Sequence, residues 1–220
     1  MEHTVSGVGV LDKAVSVLDA LAGRPRSLAE LVEATGLSRA TAHRLATALE
    51  AHHLVRRDDE GRFCLGVALI ALGRTAADGL PLAEVSGPAL EALRDATGES
   101  VQLYVRDGDR RVCIAALESP HGLRTIVPLG ASLPLEVGSA GRVLQIGWSA
   151  TDGRDWAESV GEREPGVASV SAPVRGSDGR GVAAVGVSGP IDRTTRRPGQ
   201  RYGEAVVMAA AAIEASGASA

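Results

Sequence analysis

Thr35–Gly66 reads TGLSRATAHRLATALEAHHLVRRDDEGRFCLG. A helix start, an apolar stripe, several cations and a tight acidic turn between two strand-like runs all fall within it. Ser38 follows Leu37 and suits the N-cap of a helix, because its hydroxyl can accept from an otherwise unpaired amide of the first turn. Ala42, Leu45, Ala46 and Leu49 recur at the spacing of one buried helical face. Opposite them project Ala40, Arg44 and Thr47, flanked by Thr41 and His43, with Ser38 and Arg39 at the N-terminal end. A helix that enters a major groove shows its N-terminal residues to base edges. Arginine matches the O6/N7 pair of guanine, while serine, threonine and histidine donate or accept as required. LVRR and RFCL flank DDEG, a two-stranded hairpin with Gly61 in its turn. Arg56, Arg57 and Arg62 on its flanks suit phosphates without reading sequence, whereas the tip Asp58-Asp59-Glu60 would repel them.

The residues upstream complete a small unit. Leu11, Ala14, Val15, Leu18 and Leu21 predict a one-faced first helix over about Val8 to Ala22, ended by Gly23 and Pro25. SLAE (Ser27–Glu30) is a capping box: Ser27 accepts from the N3 amide and Glu30 reaches back. Leu28, Leu31 and Val32 give the second helix its buried face, and Gly36 stands where a left-handed C-cap is wanted. Residues 1–65 therefore read as a winged helix-turn-helix DNA-binding domain. The competing reading is a three-helix bundle with a hairpin and a solvated charged face.

Charge and composition narrow the classes. The chain has 220 residues, a net charge of −4 and only 2% aromatics, so its core must be aliphatic. Residues 1–75 hold nine basic and nine acidic side chains, so the remainder carries the negative balance. Within Ser38–Arg57, Arg39, Arg44, Arg56 and Arg57 face the single acid Glu50. Lys13 is the only lysine, a codon bias that points to a GC-rich bacterial genome. Cys64 and Cys113 form no CxxC pair and have no histidine cluster beside them, which argues against a disulfide framework or a metal site. The mixed, polar first residues do not read as a signal peptide. No apolar run reaches the length of a membrane helix. The expectation is a soluble cytoplasmic protein with no cofactor, no metal and no membrane partner.

Val67–Ala77, VALIALGRTAA, is apolar nearly all round, which calls for cover on several sides. Either a second copy of the chain covers it, making residues 66–79 a linker and dimerisation helix, or it is an ordinary core helix of the second domain. From Leu80 the texture changes. PALEALRDATG predicts a helix with Leu90 and Leu93 inward. SVQLYVRDGDRRVCIAALES predicts a hairpin turning at Asp107-Gly108, its strands alternating through Val101, Leu103, Val105 and through Val112, Ile114, Ala116. GLRTIVPLG predicts a third strand. Ser169–Pro190 predicts a second hairpin turning at Asp178-Gly179, and a helix over about Gly203 to Ala215 closes the chain. The sum is an α+β fold with an antiparallel sheet. No paired carboxylates, metal-ligand spacing or phosphate-cradling loop appears, and Ser139 in GSAG and Ser171 in SAP have no base nearby, so no catalytic residue is assigned. Small hydroxylated positions at strand ends suit a shallow pocket for a polar ligand, and they equally suit close helix–sheet packing.

Over nearly its whole length the chain resembles the IclR family of bacterial transcription regulators. GLSRATAHRLATALE is similar to the family's recognition helix, VPLGASLPLEVGSAGRVL to one wall of its effector pocket, and GEREPGVASVSAPV with VAAVGVSGPIDR to its C-terminal signature. GVGVLDKA, GEREPGVASVSAPV and VSGPI are further similar to the actinobacterial NdgR/LtbR branch, tied to amino-acid metabolism and especially leucine. The resemblance implies a winged helix joined by a linker helix to a GAF-like effector domain over 80–220, homodimers or dimers of dimers, an inverted-repeat double-stranded DNA operator and a small-molecule effector. It implies DNA contacts from Ser38, Arg39, Thr41, His43 and Arg44, to which the helix face adds Thr47 and the wing Arg56 and Arg62. It places Leu129, Gly130, Ser139, Ala140, Ser159, Ser169 and Gly186 at the effector. Two departures stand out. Where family members that bind small carboxylates carry an acid and a serine, this chain has Ser159 and Gly186, so one hydroxyl is gone. The helical excursion expected near 144–161 is cut to LQIGWSATDGRDWAESVG, which leaves a lid or an oligomer contact missing or rebuilt around Trp148 and Trp156, and a different ligand or none.

Overall fold

A computed structural model of the chain describes residues 8–145, 148–149 and 153–217. The chain divides into two compact units, with the division between Gly79 and Leu80.

The first unit opens with helices α1 (Gly9–Leu21), α2 (Leu28–Thr35) and α3 (Arg39–Ala51). The capping box forms in full: the Ser27 hydroxyl accepts from the Glu30 amide, and the Glu30 carboxylate accepts from the Ser27 amide at 2.8 Å. Gly36 ends α2 at φ 68, the left-handed region that lets the chain reverse without a Cβ penalty. Ser38 then caps α3 by accepting from the Thr41 amide. The hairpin pairs β1 (Val55–Arg57) with β2 (Phe63–Leu65) and places Val55 opposite Leu65. Arg26 adds a bridge to Phe63, so the α1–α2 connection is stitched to the wing. The core is aliphatic around one aromatic ring: Val17, Leu21, Leu31, Leu45, Ala46, Leu49, Val55 and Phe63 pack together.

Two expectations for this unit change. In α1 Ala14, Leu18 and Leu21 pack inward as expected together with Val17, while Leu11 and Val15 are exposed beside Val10. Thus α1 carries a second apolar face that the unit itself does not cover. Helix α4 (Ala68–Asp78) falls within the first unit and contributes no fully buried residue. Val67, Ile70 and Leu72 are each at least 60% exposed, which removes the reading of a core helix.

The second unit runs α5 (Pro81–Val85), α6 (Gly87–Thr97), β3 (Ser100–Asp107), β4 (Arg110–Leu117), β5 (Ser132–Pro134), α7 (Ser139–Val143), β6 (Ala157–Val160), β7 (Val167–Arg175), β8 (Gly181–Pro190), α8 (Ile191–Thr194) and α9 (Pro198–Ala215). Its sheet is six-stranded and antiparallel, in the order β5-β4-β3-β8-β7-β6. The fold is α+β. Alternation sends Val170, Ala172, Val174, Val185 and Val187 to one face, where they pack with Leu90 and Leu93 of α6 and Val206 and Ile213 of α9. The opposite face carries Tyr104, Cys113 and Ala184 under α7. Both faces of the central strands are therefore buried.

Three sequence expectations fail here for identifiable reasons. GLRTIVPLG forms no strand: Pro128 has no amide to donate, and Leu129-Gly130 turns with Gly130 at φ 79, so pairing with β4 begins only at Ser132. The alternation of Val112, Ile114 and Ala116 is broken by a bulge, because Leu103 pairs with Ala115 while Tyr104 pairs with Cys113. Ile114 is the extra residue: Arg111, Val112 and Cys113 keep the faces that alternation gives them, while Ala115 and Leu117 join the core face and Ala116 turns to the face of Tyr104. The C-terminal helix begins at Pro198, five residues earlier than expected. In the shortened segment, residues 146–147 and 150–152 lie outside the described residues. Trp148 packs against the cluster under α7, and the Trp156 ring lies where Gly199 and Gly203 of α9 leave room for no side chain. Among the described residues no helix is long and apolar enough to cross a membrane.

The capping box generates a pH dependence. The Glu30 carboxyl is held at about 2, below its ordinary 4.5, first by the Ser27 amide and then by bonds from Arg24 and the Ser27 hydroxyl. A folded pKa below the unfolded one stabilises above the unfolded value and loses that contribution as pH falls through the folded one. The thermal stability of the first unit should therefore fall as pH drops from about 4.5 towards about 2, and Glu30→Gln should flatten that limb.

Candidate DNA-reading surface and effector pocket

The capping of α3 sets the first surface. Ser38 and Thr41 are joined hydroxyl to hydroxyl at 2.9 Å, which fixes the first turn. Arg39, His43, Arg44 and Thr47 are exposed on the face away from Ala42, Leu45, Ala46 and Leu49. Among the described residues, Arg39, Arg44 and Arg56 hold no ion pair, so their charges are available to a ligand.

The wing differs. Asp58 accepts from the amides of Glu60 and Arg62 and pairs with the Arg62 guanidinium at 2.8 Å, while Glu60 takes the other side of Arg62 at 2.9 Å. Burial alone would raise Asp58, but the Arg62 side chain and backbone outweigh it and hold its pKa below the usual carboxylate value. Arg57 lies 4.1 Å over the Phe63 ring and reaches Glu50 at 3.4 Å. Arg62 is thus paired within the wing and Arg57 with Glu50 of α3, and among the described residues Arg56 is the flank arginine that holds no ion pair.

The second surface is a recess on the face of the sheet beneath α7, with a volume of about 30 Å³. That admits about two water-sized groups. Ser139, Ala140, Ser159 and Ser169 all line it, as expected. Leu129 and Gly130 do not: they form the exposed turn before β5. Gly186 lies on the same face but outside the lining, with its Cα opposite Ser171. A Cβ there would fall on the Ser171 Oγ and lie 2.6 Å from the Val170 carbonyl. The hydroxyl missing at 186 is therefore replaced, from the neighbouring strand, by Ser171. The Ser139 hydroxyl bonds both Ser169 and Ser171 at 2.8 Å, and Ser188 donates to the Gln102 Oε1 at 3.0 Å. No acid takes part in this network.

Sequence reasoning missed Gln102, Tyr104, Arg111, Ser171 and Ser188 as lining residues. Ser171 was legible by period two from Ser169, and Ser188 by period two from Gly186. Alternation puts Arg111 on this face, opposite Val112 and Ile114, but does not announce that its charge is buried there. Its guanidinium bonds the carbonyls of Pro134 and Val137 and lies against Gly138 and Gly141, where a Cβ on Gly141 would stand 2.7 Å from its Nη1. The glycines of GSAG thus admit a buried arginine. Glu162 pairs with Arg142 and accepts from the Gly138 amide at 3.1 Å, holding the start of α7 to the strand β6 side of the recess. Among the described residues no histidine, cysteine and acid cluster suited to a metal appears.

Comparison with known proteins bears on both surfaces. The profile of the IclR helix-turn-helix domain matches residues 10–59, and that of the bacterial transcriptional regulator IclR C-terminal matches residues 74–154 and 149–215. The transcriptional regulator KipR of Bacillus subtilis is 30% identical over 131 residues, 59% of this chain and 52% of that protein. The glycerol operon regulatory protein of Streptomyces coelicolor is 28% identical over 222 residues, 84% of this chain and 86% of its own. A transcriptional regulator from Rhodococcus sp. RHA1 superposes with a TM-score of 0.73 at 26% identity, over 96% of this chain and 98% of that one. An IclR homologue from Microbacterium hydrocarbonoxydans, solved with 4-hydroxybenzoate, shares the fold with a TM-score of 0.74 at 20% identity, over 94% and 98% of the two chains.

The close approach at Gly186 gives a test of the recess. Gly186→Ser should not add a useful hydroxyl: it should lower stability by about 1–3 kcal/mol through overpacking, measured by denaturant unfolding. Adding Ser171→Gly should recover part of that loss and no more, because the Val170 carbonyl still opposes the new Cβ.

Proposed function

Because this chain belongs to the IclR family of DNA-binding transcription regulators, we propose that it reads an inverted-repeat operator through α3 as a homodimer, or a dimer of dimers. We further propose that it acts in the cytoplasm and controls amino-acid metabolism, leucine biosynthesis foremost, in response to a small molecule held in the recess under α7. It is a regulator and not an enzyme.

The observation that carries the DNA reading is the face of α3, where Arg39 and Arg44 stand exposed and unpaired beside His43 and Thr47. The apolar exposure of Val10, Leu11 and Val15 on α1 and of Val67, Ile70 and Leu72 at α4 supports a second copy as the cover. Two copies would set two recognition helices about one DNA turn apart. The hydroxyl-lined recess supports the effector, and a protein of the same fold holding 4-hydroxybenzoate is in keeping with it. The stretches GVGVLDKA and GEREPGVASVSAPV support the amino-acid branch.

Selection of bound fragments from a GC-rich bacterial genomic library, at two salt concentrations, should return an inverted repeat near amino-acid genes. On that site Arg44→Ala should cost about 1–3 kcal/mol and relax preference at one position per half-site. Arg56→Ala should weaken all sequences alike and reduce the salt slope by about 1. Arg62→Ala should do much less, since Asp58 and Glu60 already hold that charge. Recovery of random, salt-labile DNA alone would favour the alternative that the winged helix only dimerises a small-molecule-binding domain.

A further inference from the structure

The stretch that joins the sheet to α9 gathers positive charge against the trend of its unit. Asp192–Arg201 holds Arg193, Arg196, Arg197 and Arg201 against one acid, Asp192. Arg193 is neutralised, because its guanidinium grips both oxygens of the buried Glu99 at 2.6 and 2.8 Å. The other three are not. Arg196, Arg197 and Arg201 are exposed and line one open cleft of about 460 Å³ with Thr195 and Gln200. Among the described residues none of the three holds an ion pair, and neither does Asp192 or Glu204 beside them. Arg201 is set by its neighbours: it donates to the Arg193 carbonyl at 2.6 Å and lies 5.2 Å from the Tyr202 ring. Thr195 turns the chain at φ 70, a left-handed value rare for a β-branched residue. Its amide donates to the Ile191 carbonyl at 2.7 Å, and its hydroxyl oxygen accepts from the Arg197 amide at 3.2 Å, which leaves the hydroxyl proton to donate. The end of α9 is not what makes this cleft suit an anion. Pro198 has no amide, and the Gly199 amide already donates to the Glu158 carboxylate at 2.8 Å. The side chains carry the charge.

We propose that this cleft is a second ligand site, separate from the recess under α7, and that it takes a compact molecule carrying two joined phosphoryl groups. The two cavities share no lining residue. Arginine forks match phosphate oxygens in pairs, and three of them around one cleft make a local positive potential in a unit that is otherwise acidic. A single phosphoryl group carries about −1.5 to −2 near neutral pH, which leaves one of the three guanidiniums unbalanced. Two joined groups match all three. The lining offers guanidiniums, one amide and one hydroxyl, and no apolar or aromatic side chain to hold a base or a lipid tail. Recognition therefore falls on the diphosphate, and the remainder of the molecule extends into solvent. The concave shape and a volume within the range of small-molecule sites favour such a ligand over the rod of a DNA backbone. A ligand held only by the folded unit would raise the melting temperature with its concentration.

The test uses the full chain in metal-free buffer at matched ionic strength, with pyrophosphate, inorganic phosphate and sulfate as probes and random duplex DNA as a separate arm. Calorimetry and thermal unfolding should show pyrophosphate binding at least tenfold more tightly than phosphate or sulfate. Arg196→Gln and Arg197→Gln should each cost pyrophosphate roughly 10- to 100-fold in affinity, as expected for charge-assisted hydrogen bonds. Both side chains are exposed and unpaired among the described residues, so the variants should fold. Arg180→Gln, at the exposed turn between β7 and β8, should leave pyrophosphate binding unchanged. If the three anions bind alike, the cleft holds an adventitious ion only and the proposal falls. If pyrophosphate binds but the variants at 196 and 197 bind it equally well, the site lies elsewhere and the proposal falls. If no small anion binds while those variants weaken duplex DNA binding, the arginines serve a DNA backbone instead, and the proposal falls. Binding of none of the probes overturns it as well, and leaves the reading of α3 as the DNA-reading helix untouched.

Discussion

The C-terminal unit depends on a sheet buried on both faces. Period-two alternation hands one face of β7 and β8 to valine and alanine, which pack under α6 and α9. The other face receives serine, glycine and alanine. Buried hydroxyls must find partners or cost free energy, and here they find each other: Ser139 from α7 meets Ser169 and Ser171 from β7, while Ser188 from β8 meets Gln102 from β3. Helix α7 is therefore held down by polar contacts as well as by Ala140 and Val143. A recess of this kind is already organised around hydrogen bonding, and a ligand that enters must exchange bonds rather than merely displace apolar contacts.

Much of the first unit was legible because its determinants are local. The Ser27–Glu30 box, the left-handed Gly36 and the Ser38 cap are each set by residues within four positions of one another, and all three form. Period counting placed Ala42, Leu45, Ala46 and Leu49 inward for the same reason. It misjudged α1 only at Leu11 and Val15, which are exposed, while Ala14, Leu18 and Leu21 pack inward. In the second unit the hairpins at Asp107-Gly108 and Asp178-Gly179 were legible from their turn residues. What stayed hidden was non-local. One extra residue at Ile114 moves Ala116 to the face opposite Val112 and Ile114, and no pattern in DRRVCIAA announces it. Four of the seven expected effector positions line the recess, yet Arg111, which among the described residues has no acid partner, was missed because alternation gives a face and not the burial of a charge.

The wing shows why counting cations overstates a nucleic-acid surface. Arg56, Arg57 and Arg62 look equivalent in sequence. In the fold, Arg62 is clasped by Asp58 and Glu60, and Arg57 stacks on Phe63 and reaches Glu50. Exposed pairs of this kind contribute little to stability, but they lower the charge offered to phosphate. Any DNA contact from this unit then leans on α3, and affinity would depend less on salt than five arginines suggest.

The glycines of the C-terminal unit answer to its few bulky or charged side chains. Gly138 and Gly141 make way for Arg111, Gly186 for the Ser171 hydroxyl, Gly189 for the Glu99 carboxylate that Arg193 grips, and Gly199 with Gly203 for the Trp156 ring. In a chain with only two tryptophans and two tyrosines, these large groups are anchors, and each is seated by removing a Cβ opposite it. The motifs GSAG, VGVSGP and PGQRYG are thus steric complements of particular partners far away in sequence. Where a backbone carbonyl also opposes the missing Cβ, as Val170 does at Gly186 and Leu135 at Gly141, changing the partner side chain alone does not make room. For GSAG the opposing groups are the buried Arg111 guanidinium and, closer still to Gly141, the Leu135 carbonyl, so this stretch is fixed by close backbone approach as well as by the cation in the lining of the recess.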